Sequence, residues 1–273
     1  MRLSGNDLAL QYDVVVATDL SIEIPDGQVS ALIGPNGSGK STLLRALSRL
    51  LRPRAGEVVL DGREISSYST KEVARRLAIL PQVLISPESI TVEELVVYGR
   101  FPQRRSIGGM QDEDRRAVEW ALEVTATKDL RDRPVDHLSD GQRQRAWIAL
   151  VLAQGTDLIL LDEPTTFLDI AYQLEVLELL KHLNESEGKT ILMVLHDINM
   201  ACEYSQWLFA LRSGKLVAQG DPREVLKVDL IRDVFGIDAH ILEHPTSGAP
   251  MCVPIATPHG AAAPARARVR LST

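Results

Sequence analysis

The chain opens with short apolar runs separated by polar turns. Residues 8–12, 20–24 and 29–33 have strand length and strand composition, and residues 57–60 followed by Asp61-Gly62 read as a hairpin arm with its turn. An antiparallel β component is therefore expected near the N-terminus. The period then changes: Thr91 and Glu94 have capping-box spacing ahead of a helix, and residues 112–127 show helical recurrence at Val118 and Leu122. Residues 87 to about 150 are expected to be mostly helical. Strand-like runs return at residues 158–161 and 190–195, flanking a helix over 170–186 whose Leu174, Leu177, Leu180 and Leu183 are expected to share one buried face. That alternation predicts a parallel sheet. Residues 207–212, a turn at Ser213-Gly214 and residues 216–219 form a further hairpin pattern, after which Asp221-Pro222-Arg223-Glu224 opens a helix. No internal repeat is present.

Chemistry enters between the third strand and the helix that follows it. Gly34-Pro35-Asn36-Gly37-Ser38-Gly39-Lys40-Ser41-Thr42 matches the G-x-x-x-x-G-K-[ST] loop that wraps nucleotide phosphates. Glycines admit left-handed torsions and turn successive N–H groups inward as an anion nest. Lys40 is expected to reach the β- and γ-phosphates, and the Ser41 hydroxyl to supply a ligand to Mg²⁺, a cation that prefers oxygen. Strand, Gly-rich loop, helix is the order that this mechanism needs. ATP or GTP is the expected ligand.

Bulk properties narrow the class. A chain of 273 residues suits one large domain or a core with subdomains. With 30 basic and 37 acidic residues the net charge is −7, against the basic excess that a nucleic-acid surface requires. Cys202 and Cys252 lie far apart and in no CxxC pairing, so neither a disulfide framework nor a zinc site is indicated, and a reducing cytoplasm fits. The N-terminus lacks a signal pattern, and no apolar stretch approaches the roughly 20 residues that span a bilayer. The last fifteen residues, with Arg266, Arg268 and Arg270 among alanines, are expected to be disordered.

Further along, residues 158–163 read LILLDE, an apolar strand ending in two acids, as in the second motif of P-loop ATPases. Asp162 is then expected on Mg²⁺, and Glu163 beside the metal as the base that polarises the attacking water.

Between the two motifs lies Leu138-Ser139-Asp140-Gly141-Gln142-Arg143-Gln144-Arg145, which resembles the LSGGQ signature and basic helix of the ATP-binding cassette (ABC) family. The family's other marks follow in order. Tyr12, twenty-two residues before Gly34, resembles the aromatic that stacks on adenine; Gln82 resembles the Q-loop glutamine; Asp169 resembles the D-loop aspartate; and His196 resembles the switch histidine that contacts the γ-phosphate. The resemblance covers about residues 5–245. It implies an α/β fold with a RecA-like P-loop NTPase core, an antiparallel β subdomain and a helical signature subdomain. In chain order, residues 1–86 would hold the β subdomain and the first part of the core, 87–151 the helical subdomain, 152–245 the rest of the core, and 246–273 a C-terminal extension. Glu163, His196, Gln82 and Asp169 are implied as catalytic, with Gln82 a metal contact beside Ser41 and Asp162. The resemblance also implies a head-to-tail homodimer, in which ATP on the Gly34–Thr42 loop of one chain is capped by Ser139, Gly141 and Gln142 of the other. Opening and closing of that pair would drive a separate integral membrane permease through the groove near Gln82, with the ATPase on the cytoplasmic face of the membrane. One position departs from the pattern: Asp140 stands where glycine is usual.

A narrower resemblance exists. Val96-Val97-Tyr98-Gly99-Arg100-Phe101-Pro102, residues 142–154 (QRQRAWIALVLAQ) and residues 162–170 (DEPTTFLDI) are similar to the ATPase subunits of bacterial ferric-siderophore importers. Such systems also use an extracytoplasmic substrate-binding protein. Import of cobalamin, haem or another chelate stays open, as does a soluble ABC ATPase working on ribosomes, DNA or cluster assembly. A small-molecule kinase sharing only the phosphate loop leaves the signature and His196 unexplained.

Overall fold

The computed structural model describes residues 2–11, 15–104, 109–166 and 168–256. Tyr12, Phe167 and the arginine-bearing tail lie outside the described residues. The fold is α/β, with two main sheets.

The first sheet is antiparallel, in the order β2 (Val15–Ile24), β1 (Leu3–Gln11), β4 (Ala55–Leu60) and β5 (Arg63–Glu64). Its first strand starts at Leu3, five residues before the expected run, because Leu3 and Leu8 both point into the core across an irregular register. The expected hairpin turn is present. Asp61 and Gly62 both have positive φ, 48° and 77°, the torsions that a tight turn between twisted strands demands.

The second sheet has six strands, in the order β10 (Lys215–Gly220), β9 (Trp207–Arg212), β3 (Val29–Ile33), β8 (Thr190–Val194), β7 (Leu158–Asp162) and β6 (Leu77–Leu80). All pairings from β9 to β6 are parallel, and β10 closes one edge as the antiparallel arm of the second expected hairpin. Every residue of β3, β7 and β8 is buried, which is why each reads as an unbroken apolar run rather than an alternating one. One face of this sheet meets the antiparallel sheet and helix α1 (Lys40–Leu47) in a shared hydrophobic cluster. The other face meets the helices.

Those helices include α3 (Val92–Tyr98), α4 (Asp112–Val124) and α5 (Asp140–Ala153), which pack on one another, with the short α2 (Thr70–Ala74) preceding them. The capping box expected at Thr91 is formed, with the Thr91 hydroxyl accepting from Glu94 N–H at 3.2 Å. A buried ion pair ties these helices to one another: Arg100, just beyond α3, places Nε 2.9 Å from Asp114 of α4, and its Nη1 donates to the carbonyl of Ala153 at the end of α5 at 2.9 Å. Helix α6 (Ile170–Glu187) buries Leu177, Leu180 and Leu183 as expected, whereas Leu174 is 40% exposed. Leu174 sits in the second turn of α6, before the buried stretch that begins at Val176. Among the described residues, no helix is long and apolar enough to cross a membrane.

The chain continues through α7 (Ile198–Tyr204), α8 (Pro222–Val225) and α9 (Val228–Phe235) into a hairpin of β11 (Asp238–Glu243) and β12 (Pro250–Ala256). This hairpin crosses the boundary expected at residue 245 and packs on α7, where the Asn199 amide exchanges two hydrogen bonds with the backbone of Cys252 at 2.7 and 3.2 Å.

Candidate nucleotide site

The loop between β3 and α1 is shaped by contacts that only glycine allows. Gly34 has φ 147°, and a Cβ there would stand 2.1 Å from the Leu211 carbonyl of the neighbouring strand. Gly39 precedes α1 with φ 101° and offers no side-chain cap, so the first N–H groups of the helix are not consumed by a neighbouring hydroxyl or carboxylate. Ser38 Oγ is buried with no hydrogen-bond partner among the described residues. Lys40 folds back over the loop and donates to the carbonyls of Gly34 at 2.8 Å and Pro35 at 3.1 Å. Burial lowers the Lys40 pKa, and the carboxylates of Glu163 and Asp162 oppose that shift.

Residues 36–42 line a cleft of about 430 Å³ together with Gln82, Glu163, Thr166 and His196. The acids arrive from the parallel sheet. Asp162 ends β7, is 2% exposed, and accepts from the Ser41 hydroxyl at 2.8 Å. Burial raises its pKa, the Ser41 hydrogen bond lowers it, and the charge of Glu163 raises it further. A desolvated carboxylate beside a hydroxyl is the oxygen pair that a hard divalent cation uses, and a cation there would stabilise the ionised form.

Glu163 follows with φ 56°, an unusual left-handed backbone for a residue carrying a side chain. Its carboxylate is engaged at both oxygens, 2.7 Å from His196 Nε2 on one side and accepting from Thr166 Oγ1 at 3.0 Å on the other. His196 stands just beyond β8, where Leu195 N–H still bonds across to Leu32 and Asp197 caps α7 through Met200 N–H at 2.9 Å. Thus β3, β7 and β8, adjacent in the sheet, deliver the loop, the two acids and the histidine to one edge. Ligands in open α/β sheets bind beyond the carboxyl ends of parallel strands.

The remaining sequence-derived residues are distributed elsewhere. Asp169 is outside the cleft, where its carboxylate caps α6 by accepting from Tyr172 N–H at 3.1 Å. Ser139, Gly141 and Gln142 are also outside it, at the N-terminus of α5. Ser139 Oγ accepts from Gln142 N–H at 3.3 Å while Gln142 Oε1 accepts from Ser139 N–H at 3.2 Å, a reciprocal capping box. Gly141 is buried against α6, and a Cβ there would press on the Tyr172 ring at 3.2 Å. Three residues beyond Gly141, the buried Gln144 donates to the Pro164 carbonyl at 2.9 Å, linking α5 to the segment that carries Glu163. Thr166 falls within the importer-like stretch 162–170 without a role assigned to it there; its chemical signal is a hydroxyl three residues after an acid.

The ABC transporter family profile matches residues 17–166. Over 252 residues the chain is 50% identical to "Iron(3+)-hydroxamate import ATP-binding protein FhuC" of Bacillus subtilis, covering 92% of this chain and 94% of that protein. It is 51% identical over 255 residues to "Ferric enterobactin transport ATP-binding protein FepC" of Escherichia coli, covering 93% and 94%. A solved structure described as "Dimeric Structure of MJ0796, a Bacterial ABC Transporter Cassette" superposes with a TM-score of 0.72 at 27% identity, covering 80% of this chain and 98% of that one. Profile, relatives and fold agree with a cleft built from loop, paired acids and histidine: this chain belongs to the ABC transporter family, as one of its ATP-hydrolysing cassettes.

Proposed function

We propose that this chain is the ATPase subunit of a bacterial importer of ferric-siderophore complexes. The observation that carries the reading is the convergence of Lys40, Asp162, Glu163 and His196 on one cleft, in a chain half identical to subunits that serve two chemically different iron chelates. The phosphates of ATP would lie along the N–H groups of residues 36–42, and Lys40 would exchange its two carbonyl partners for phosphate oxygens. Tyr12 would stack on the base. Mg²⁺, when bound, would neutralise phosphate charge. Ser41 and Asp162, with Gln82 at the rim, are the oxygen donors suited to it. Glu163 accepts the proton of the attacking water. His196 turns from Glu163 toward the γ-phosphate, and Asp169 signals between the two chains.

In a head-to-tail homodimer Ser139, Gly141 and Gln142 of one chain would cap the nucleotide of the other, and the catalytic cycle would open and close the pair. The exposed apolar side chains of Val83 and Ile85, which follow Gln82 in the chain, and of Tyr98 and Phe101 on the helical layer would be available to the cytoplasmic loop of an integral membrane permease. The chain would therefore work as a peripheral protein at the cytoplasmic face of the membrane, coupled only indirectly to an extracytoplasmic binding protein. It touches no chelate itself.

The test is growth on iron. A strain lacking this chain should fail to grow when a ferric siderophore is the only iron source, yet grow on freely soluble ferrous iron. Wild type, but not Glu163→Gln, should restore it. Undiminished siderophore uptake in the deletion strain, with lost uptake of haem or cobalamin, would reassign the substrate. Undiminished uptake of all three would overturn the import reading.

A further inference from the structure

Thr166 brings to the cleft a hydroxyl that the proposed mechanism has not used. Thr166 Oγ1 donates to Glu163 Oε2 at 3.0 Å, while His196 Nε2 lies 2.7 Å from Oε1. Glu163 is 8% exposed in its side chain, so its two oxygens find these protein groups rather than bulk water. The geometry of the turn does not depend on the hydroxyl: Thr166 N–H already closes it on the Glu163 carbonyl at 3.2 Å, and Gln144 fixes the intervening Pro164 carbonyl from α5. The hydroxyl is thus an additional contact aimed at the carboxylate. It is made by a residue whose backbone is already held.

We propose that Thr166 is a positioning residue for hydrolysis, anchoring Glu163 by Oε2 so that Oε1, once His196 leaves it, accepts the proton of the attacking water. This rests on the reading of Glu163 as the base. In the step, the water oxygen bonds to the γ-phosphorus, and its proton passes to Oε1. The bond from that phosphorus to the bridging oxygen breaks, and its electron pair stays with ADP. His196 is needed at the γ-phosphate and cannot hold the carboxylate at the same moment. Without the Thr166 hydroxyl the base would lose both side-chain anchors together. A base must stay within hydrogen-bond reach of the proton it removes, so a carboxylate free to swing spends fewer moments in a productive pose.

The test uses the full chain with ATP and Mg²⁺, comparing wild type, Thr166→Val, Thr166→Ser and Glu163→Gln, each checked for its thermal transition. Loss of one hydrogen bond to a charged group corresponds to about tenfold or somewhat more in rate. Thr166→Val should therefore lower kcat about tenfold while KM for ATP stays within about twofold, and Thr166→Ser should restore kcat. A residue acting through Glu163 should add nothing once that carboxylate is gone, so Thr166→Val in the Glu163→Gln background should show the same single-turnover rate as Glu163→Gln alone. Wild-type kcat in Thr166→Val, alongside an inactive Glu163→Gln, overturns the positioning role and leaves the base intact. An equal further loss in the double variant, or failure of serine to restore kcat, overturns it as well. Normal hydrolysis by Glu163→Gln removes the base, and Thr166 falls with it. Should Thr166→Val unfold, Thr166→Ala against Thr166→Ser applies the same criteria.

Discussion

Two helix N-termini in this molecule are built from the same backbone and finished in opposite ways. At α1, Gly39 supplies no side chain, the first turn holds no acid, and Lys40 closes over the loop. At α5, Ser139 and Gln142 satisfy each other's backbone groups and Asp140 puts a carboxylate in the first turn. Both ends carry the partial positive charge of an aligned helix. Only the first leaves it open to an anion. The α1 end is left free to receive a phosphate in the single chain, whereas the α5 end has its backbone groups satisfied internally and, in the proposed head-to-tail pair, would exchange those bonds for a partner's nucleotide. A site divided this way would bind ATP in one chain and be finished by two, which suits the proposed cycle of closing and reopening.

The sharpest way to break the comparison is to remove the charge that belongs to the α1 end alone. Lys40→Ala should abolish nucleotide binding, lowering affinity at least about 10²-fold, because two or more charge-assisted hydrogen bonds disappear. Titration with a fluorescent ATP analogue checks it, and affinity within a few-fold of wild type contradicts the assignment. Next in size is the base. Glu163→Gln should keep binding yet lower turnover about 10²-fold or more. It should also accumulate an ATP-bound dimer in size-exclusion chromatography, bringing the α5 end into play without hydrolysis. A variant that hydrolyses normally moves the base elsewhere, with His196 the next group in reach.

The two ends also differ in how far they could be read from sequence. The phosphate loop was legible because its function demands glycines at fixed spacing; the Gly34 approach to Leu211 is the physical form of that demand. The strand ending in Asp162 and Glu163 was legible because a strand buried on both faces is an apolar run that two acids interrupt visibly. Signature residues were recognisable by resemblance, but nothing in Ser139-Asp140-Gly141-Gln142 says that they lie outside the cleft. Their distance from it is a property of how α5 crosses the sheet. Strand β6 escaped notice because Leu77–Leu80 is only four residues long and borrows its conformation from β7. The ion pair of Arg100 with Asp114 joins positions fourteen apart across a turn, a link invisible to helical or strand periodicity. Leu174 misled for the opposite reason: it obeys the periodicity of α6, but burial on that helix begins only at Val176.

A smaller effect sharpens what the α1 end recognises. If Tyr12 stacks on the base, Tyr12→Ala should weaken ATP binding about tenfold, since base stacking on an aromatic ring is worth roughly 1–3 kcal/mol. Tyr12→Phe should be nearly silent. Equal losses from both, measured by calorimetric titration, would assign the contact to the hydroxyl and contradict stacking.

The smallest expected effect falls at the other end, on Asp140. Its carboxylate pairs with the Arg143 guanidinium and is largely exposed, so it acts on the helix mainly as a first-turn anion, a contribution of about 0.3–1 kcal/mol. In a closed pair the same carboxylate would face a partner's γ-phosphate, where like charges oppose closure. Replacing it acts in both places. Asp140→Gly removes the anion and frees Arg143, so the isolated chain should melt lower by about 1–3 °C. ATP-driven dimerisation should instead strengthen by a few-fold, and more at 0.05 M salt than at 0.5 M salt because exposed charges are screened over about 10 Å at 0.1 M. The measurement is dimer formation against ATP concentration in the Glu163→Gln background at the two ionic strengths. A variant that melts lower yet dimerises no more readily at either salt would mean that Asp140 points away from the phosphate and that its effect is confined to its own helix. Stronger dimerisation at low salt only would make Asp140 an electrostatic brake on closure, set at a helix end that the single chain keeps capped.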